Sequence, residues 1–193
     1  MSHKERWLFK LSFSNIALIV VGIVINIAGN WFARTCHLPF WLDAVGTVLA
    51  AGLLGPLAGG LTGGISGGIC AMITSMPVLF ALVNIVIGII VGILYPKDTT
   101  DLFQILCTAA IVAIVTIAVS TPINLLCHQG YPGNQWGDAL FDMLQQNGNS
   151  VLASSLLGQA LVDFPDKVIS FFLATGAAKL WCRLSVAKKE ECV

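Results

Sequence analysis

The chain has 193 residues, enough for one ordinary domain, but 56% are hydrophobic and only 10% charged, and the mean hydropathy is +0.86. A soluble domain carries about 25% charge, so too few charges are present to coat a water-facing surface, and the composition reads as an integral membrane protein. Ten Lys and Arg balance ten Asp and Glu, which leaves no basic field for nucleic acid, and the hydrophobicity excludes a disordered chain.

Breaks at Gly, Pro and charge divide the sequence into apolar segments, and a helix needs about 20 residues to cross the hydrocarbon core. The first segment runs from about Leu11 to Phe32. The second, about Phe40 to Leu54, is short and ends at the turn Gly55-Pro56. The third runs from about Leu57 to Ile73. Pro77 opens the fourth, which ends near Tyr95. The fifth covers about Leu102 to Leu126, and the sixth runs from about Val151 to Leu180 with Pro165 in its middle. Five or six spans fit these breaks. The reading adopted is six, in an all-α bundle forming one membrane domain over residues 1–193, with about 11–183 in the bundle. The short second and third segments must tilt, thin the bilayer or be sheltered by neighbours.

Cation placement sets the orientation. Lys4, Arg6 and Lys10 precede the first span, Lys97 lies between the fourth and fifth, and Lys179, Arg183, Lys188 and Lys189 close the chain. Six spans put all of these on one side, the cytoplasm, with both termini there and the protein in the cell membrane. Arg34 is left in an outer loop. The long segment from His128 to Ser150 contains Asp138 and Asp142 but no Lys or Arg, as an outer loop should. A cleavable signal peptide is the rival reading of residues 1–33, opposed by the length of the apolar stretch and the polar residues that interrupt it. Among the six cysteines there is no CxxC, hence no metal or redox signature. Cys36-His37 and Cys127-His128 both fall at outer ends. Adjacent ligands diverge in direction, so no metal site is expected; a Cys36–Cys127 disulfide is the better of the two options.

Charged side chains inside a span cost about 2.5–3.5 kcal/mol each on insertion scales and need a reason to be there. Asp43 is placed one turn into the second span, and Asp163, Asp166 and Lys167 in the sixth. Asp163 and Lys167 are four residues apart in the favoured order for a helical ion pair. Either that pair neutralises itself and pins the helix, or one member is left for a ligand or for Asp43, whose other candidate cation is Arg34. Amides follow: Asn26 and Asn30 in the first span, Asn84 in the fourth, Asn124 in the fifth and Gln159 in the sixth all fall in the outer half. A polar cavity opening outward explains this set, with interhelical hydrogen bonding as the alternative. In the third segment Gly60, Gly64 and Gly68 form one small-residue row, and Gly59, Gly63, Gly67 and Ala71 another. One row serves packing within the bundle, and the other, Gly60, Gly64 and Gly68, is the expected surface for a membrane partner. Gly63 and Gly68 are followed by Ile69, not by the Lys of a phosphate loop, so no ATP site and no cofactor are expected.

The stretch from Leu38 to Thr47, LPFWLDAVGT, followed by Leu54 to Gly59, LGPLAG, resembles the start of the substrate-binding S components of energy-coupling factor (ECF) transporters. Phe80 to Gly88 and Val162 to Ser170 are similar to further blocks of an uncharacterised branch of that family, and the likeness runs from about Leu11 to Arg183. The resemblance implies six helices with both ends cytoplasmic. It implies an outward-facing pocket for a vitamin-like micronutrient, capped by loops that here are about 33–39 and 74–77. It also implies transport powered by a separate module of a transmembrane scaffold and two ABC ATPases. Many members carry an Ala-x-x-x-Ala docking row in the first helix; Ser14, Leu18, Gly22 and Asn26 match it poorly, which favours the glycine rows.

The expected function is therefore a non-enzymatic binding subunit of an importer, with Trp41, Asp43, Asn84, Asn124, Gln159, Asp163 and Lys167 as substrate contacts. Trp41 would stack, Asp43 and Asp163 would suit a cation, and Lys167 would suit a carboxylate. The alternatives are a membrane enzyme of lipid-head-group type using Asp163 and Asp166, or a sensor on the same fold.

Overall fold

The computed structural model describes residues 12–96 and 101–190, the last nine as backbone. Among them are seven helices and no strand: α1 (Phe13–Thr35), α2 (Val45–Leu54), α3 (Pro56–Thr74), α4 (Phe80–Leu94), α5 (Leu102–Cys127), α6 (Gln135–Gln146) and α7 (Val151–Glu190). Three of them, α1, α3 and α5, are long and apolar enough to cross a membrane; α2 and α4 are apolar but shorter. The longest, α7, continues through Pro165 and carries Asp163, Asp166 and Lys167. Of the cations that set the orientation, Lys4, Arg6, Lys10 and Lys97, with the side chains of Arg183, Lys188 and Lys189, lie outside the described residues.

The exposure pattern is inverted relative to a soluble protein. Phe13, Val20, Val24, Leu61, Ile65, Phe103 and Ile114 are exposed, while Asn26, Thr47, Asn124, Gln159, Asp163, Asp166 and Lys167 are buried. Apolar side chains outside and hydrogen-bonded polar groups inside are stable when the surroundings are hydrocarbon.

Two elements differ from the sequence expectation. The second apolar segment is helical only from Val45, so Asp43 lies in a non-helical lead-in and not one turn into a helix. His37 adopts a left-handed conformation with φ 52°, which ends α1 with the Leu38 N–H returning to the Ala33 carbonyl. The chain then runs irregularly to Leu42, also left-handed at φ 52°. Ten residues of α2 rise only about 15 Å, half the hydrocarbon thickness, and Gly55 at φ 97° turns the chain straight into α3. Second, the long segment 128–150 is no open loop. It contains the amphipathic α6, capped by Asn134, whose side chain accepts from the Trp136 N–H, and packed along α7.

Glycine sets the helix spacing. A Cβ on Gly46 of α2 would fall on the Gly22 carbonyl of α1, and one on Gly88 of α4 would fall on the backbone of Gly59 and Gly60 of α3. Beside the first contact, Asn26 ties three helices. Its Nδ2 donates to Thr47 Oγ1 and Ser66 Oγ, both at 2.9 Å, and its Oδ1 accepts from the Gly46 N–H at 2.6 Å. Asn26 is thus an interhelical clamp. Leu18, Gly22 and Asn26 form the buried face of α1, so that row is not open to a partner. The Gly60, Gly64 and Gly68 row also differs from expectation. Gly60 lies under Ile85 and Ile89, Gly64 lies against Ile85, and only Gly68 has open space above it. The row is spent largely on the α3–α4 contact.

Candidate functional site

At the end of the bundle where α6 sits, a cavity of about 70 Å³ lies among α3, α4, α5 and α7. Its wall includes Trp41, Asp43, Asn84, Gln159, Asp163 and Lys167, brought together from the α1–α2 connection, α4 and α7. Asn124 does not line it. It stands one layer back and donates from Nδ2 to Gln159 Oε1 at 2.9 Å, because its position on α5 turns it toward α7.

The polar groups form two short chains that end on carboxylates. Asn124 donates to Gln159, and Gln159 Nε2 donates to Asp163 Oδ2 at 2.9 Å. On the opposite wall, Asn84 Nδ2 donates to Asp43 Oδ2 at 3.1 Å. The buried amides give each carboxyl a hydrogen-bond donor in a setting where an unpartnered polar group would be costly.

The lysine is paired differently from the helical spacing. Lys167 Nζ meets Asp166 Oδ2 at 2.6 Å, the one ion pair among the described residues, and not Asp163. Asp166 is fully buried and Lys167 is 1% exposed. The other oxygen of Asp166 accepts the N–H groups of Trp41 at 3.0 Å and Leu42 at 2.7 Å. Asp166 is therefore the post on which the α1–α2 connection hangs. That connection drops Asp43 to the depth of Lys167, so Lys167 acts on Asp43 electrostatically and Arg34 is not the cation that does so. The i,i+4 rule misses this arrangement because Asp163 is drawn toward Gln159 while Asp166 gains two backbone donors from another segment.

Arg34 and Trp41 close the top. The Arg34 guanidinium stands 5.8 Å from the Trp41 ring centroid, a cation–π distance. Both residues also line a second depression of about 230 Å³, shared with His37, Phe40, Gly133 and Asn134. The stacked pair is thus the wall between an outer vestibule and the inner cavity. Met76 and Pro132 complete the roof from the α3–α4 and α5–α6 connections, and His128 stacks on the cavity residue Phe80 with centroids 5.8 Å apart.

The α6 segment is latched over this roof. Trp136 Nε1 donates to the His37 carbonyl at 2.9 Å and Asn134 Nδ2 to the Leu38 carbonyl at 3.2 Å. Tyr131 donates to Asp142 Oδ1 at 2.6 Å, and that bond raises the phenol above its ordinary value. Cys36 and Cys127, beside this region, are both free and exposed.

Sequence reasoning missed Thr116, Ser120, Met76, Phe80 and Pro132 as lining residues. The first two carry a usable signal: hydroxyls four apart in an apolar helix mark one face. Each bonds back to its own helix, Thr116 to the Val112 carbonyl and Ser120 to the Thr116 carbonyl, which hides their polarity from any composition argument. Met76 and Pro132 come from connections and Phe80 is the first residue of α4, and their placement over the cavity is set by packing. The chain matches no protein-family model, no curated protein and no solved structure.

Proposed function

We propose that this protein is a membrane-embedded binding subunit for a small micronutrient-like molecule, working as the substrate-specific S component of an ECF-type importer. The observation that carries the reading is the cavity itself. Two carboxylates, a lysine, an arginine and three amides converge on it from α1, the α1–α2 connection, α4 and α7 at one end of an apolar bundle, under a roof of three connections. Structural polar contacts alone do not need that convergence, as Asn26 illustrates with its one satisfied cluster. A ligand-holding site does need it.

In this reading α1, α2, α3, α4, α5 and α7 are six spans, with α2 and α4 sheltered by their neighbours and α6 lying at the outer surface. Both termini face the cytoplasm and the protein sits in the cell membrane. The ligand enters from outside by the vestibule, passes the Arg34–Trp41 wall, and meets Asp43, Asn84, Gln159, Asp163 and Lys167. A 70 Å³ cavity holds a few waters at most, so the present geometry is the closed one and entry requires the α6 latch and the Trp41 connection to part. Energy comes from a transmembrane scaffold with two ABC ATPases.

The test is mass spectrometry of small molecules retained through mild purification. Uptake of the retained molecule is then measured in cells lacking related transporters, with the chain expressed alone and with an ECF module. Concentrative uptake should need the module. Equal uptake by the chain alone overturns the proposal.

A further inference from the structure

Of the acids around the inner cavity, only Asp166 is in contact with a cation among the described residues. Lys167 faces three carboxylates, Asp166 directly and Asp163 and Asp43 at longer range. Its ammonium is already in contact with Asp166 Oδ2 at 2.6 Å, and Asp166 gives its remaining oxygen to the Trp41 and Leu42 N–H groups. That triad is complete without a ligand. Asp43 and Asp163 are not complete. Asp43 accepts from the Asn84 amide and Asp163 from the Gln159 amide, at Oδ2 in both cases, and neither forms an ion pair among the described residues. Asp163 is 1% exposed yet lines the cavity, so the only space its unoccupied oxygen can address is the cavity interior. Arg34 also lines the cavity, but it stands over Trp41 and makes no ion pair with either acid among the described residues.

Counting formal charges around the cavity, Lys167 and Arg34 against Asp43, Asp163 and Asp166 leave one negative charge surplus, and neither Asp43 nor Asp163 has a cation in contact with it. Charges buried in a bundle are tolerated when paired, and the two unpaired acids are the ones that line the space. Asn84 and Gln159 turn their N–H donors to the acids, so what the acids still lack is donors from a third party. Trp41 and Phe80 line the same space and supply an apolar wall for the body of a ligand, although Arg34 stands over one ring and His128 stacks on the other.

From these contacts we infer that the site takes a small organic cation bearing N–H donors, with the positive group held between Asp43 and Asp163 and the body against Trp41 and Phe80. The inference rests on the binding-subunit reading and deepens it. Lys167 is a neutralised anchor here and does not receive a ligand carboxylate.

The experiment uses the full-length protein in detergent and three probes of one shape: benzamidine, which is cationic, benzamide, which is neutral, and benzoate, which is anionic. Binding is measured by calorimetry on the wild type and on Asp163→Asn and Asp43→Asn. Benzamidine should bind at least tenfold more tightly than either of the others, and each substitution should remove most of that preference. A preference for benzoate or benzamide, or a preference for benzamidine that survives both substitutions, overturns the cationic assignment while leaving the binding-subunit reading in place. If none of the probes binds and no small molecule is retained through purification, both fall. The charge of any retained molecule is a separate readout that needs no variant: a cation supports the inference and an anion overturns it.

Discussion

Asp166 is the residue whose loss separates scaffold from site. It is fully buried, pairs with Lys167 at 2.6 Å, and accepts the N–H groups of Trp41 and Leu42 at 3.0 and 2.7 Å. In Asp166→Asn an oxygen remains for the two N–H groups, but the charge is gone and an NH₂ donor is brought toward the Lys167 ammonium. Breaking a buried pair by removing one partner costs about 3–5 kcal/mol. Asp166→Ala also strands two backbone donors, at about 1–3 kcal/mol each, although contributions through one residue are not additive. Asp166→Asn should therefore cost about 3 kcal/mol and Asp166→Ala more. The double change Asp166→Ala with Lys167→Met removes the orphaned ammonium and should recover part of that cost, since Asp43 and Asp163 then lose the lysine that faces them. Unfolding in mixed micelles with rising SDS, followed by tryptophan fluorescence and helical circular dichroism, measures all three. The reasoning is refuted if Asp166→Asn unfolds with the wild type, or if the double variant is no more stable than Asp166→Ala alone.

Asp43→Asn, in contrast, keeps an acceptor for Asn84 and removes the charge, and should lower affinity for the retained ligand at least about tenfold, or 1.4 kcal/mol, with unfolding nearly unchanged; a large stability loss at constant affinity would make Asp43 an anchor. Asn26→Ala empties a clamp with three bonds and should destabilise by about 2–4 kcal/mol without altering ligand selectivity, as read by SDS unfolding and calorimetry. Gly46→Ala forces a methyl into the Gly22 carbonyl, whereas Gly68→Ala meets open space, so the first should cost about 1–3 kcal/mol and the second close to nothing by the same unfolding assay. Trp136→Phe deletes the donor to the His37 carbonyl and should speed ligand release several-fold, visible in stopped-flow dissociation, with the bundle's melting unaffected.

Composition alone pointed to apolar helices. With 10% charge and 56% hydrophobic residues, the chain reads as one whose apolar faces meet lipid, three of its described helices are long and apolar enough to cross a membrane, and period and length place α1, α3 and α5 within three residues. The cost of a charge in hydrocarbon also made Asp43, Asn84, Gln159, Asp163 and Lys167 conspicuous before any fold was known, and they do line one cavity. The α6 helix was less legible. Its apolar face is short and lies in a polar, acidic stretch, so hydropathy reads the whole stretch as loop.

What the tertiary structure alone decided was pairing. Along one helix the favoured partner of Lys167 is Asp163, four residues away, and that geometry is local. The actual partner is Asp166, because the backbone of Trp41 and Leu42, more than 120 residues distant in sequence, arrives to share its other oxygen. The same holds for the glycines: two rows are visible in α3, but that both are spent largely on α4, with only Gly68 of the two rows left open, depends on where Asn84, Ile85, Gly88 and Ile89 come to rest. A residue type announces what it needs, a donor, a counter-charge or room for a neighbouring backbone. Which segment meets that need depends on helices far apart in sequence packing side by side, and a local pattern contains no term for it.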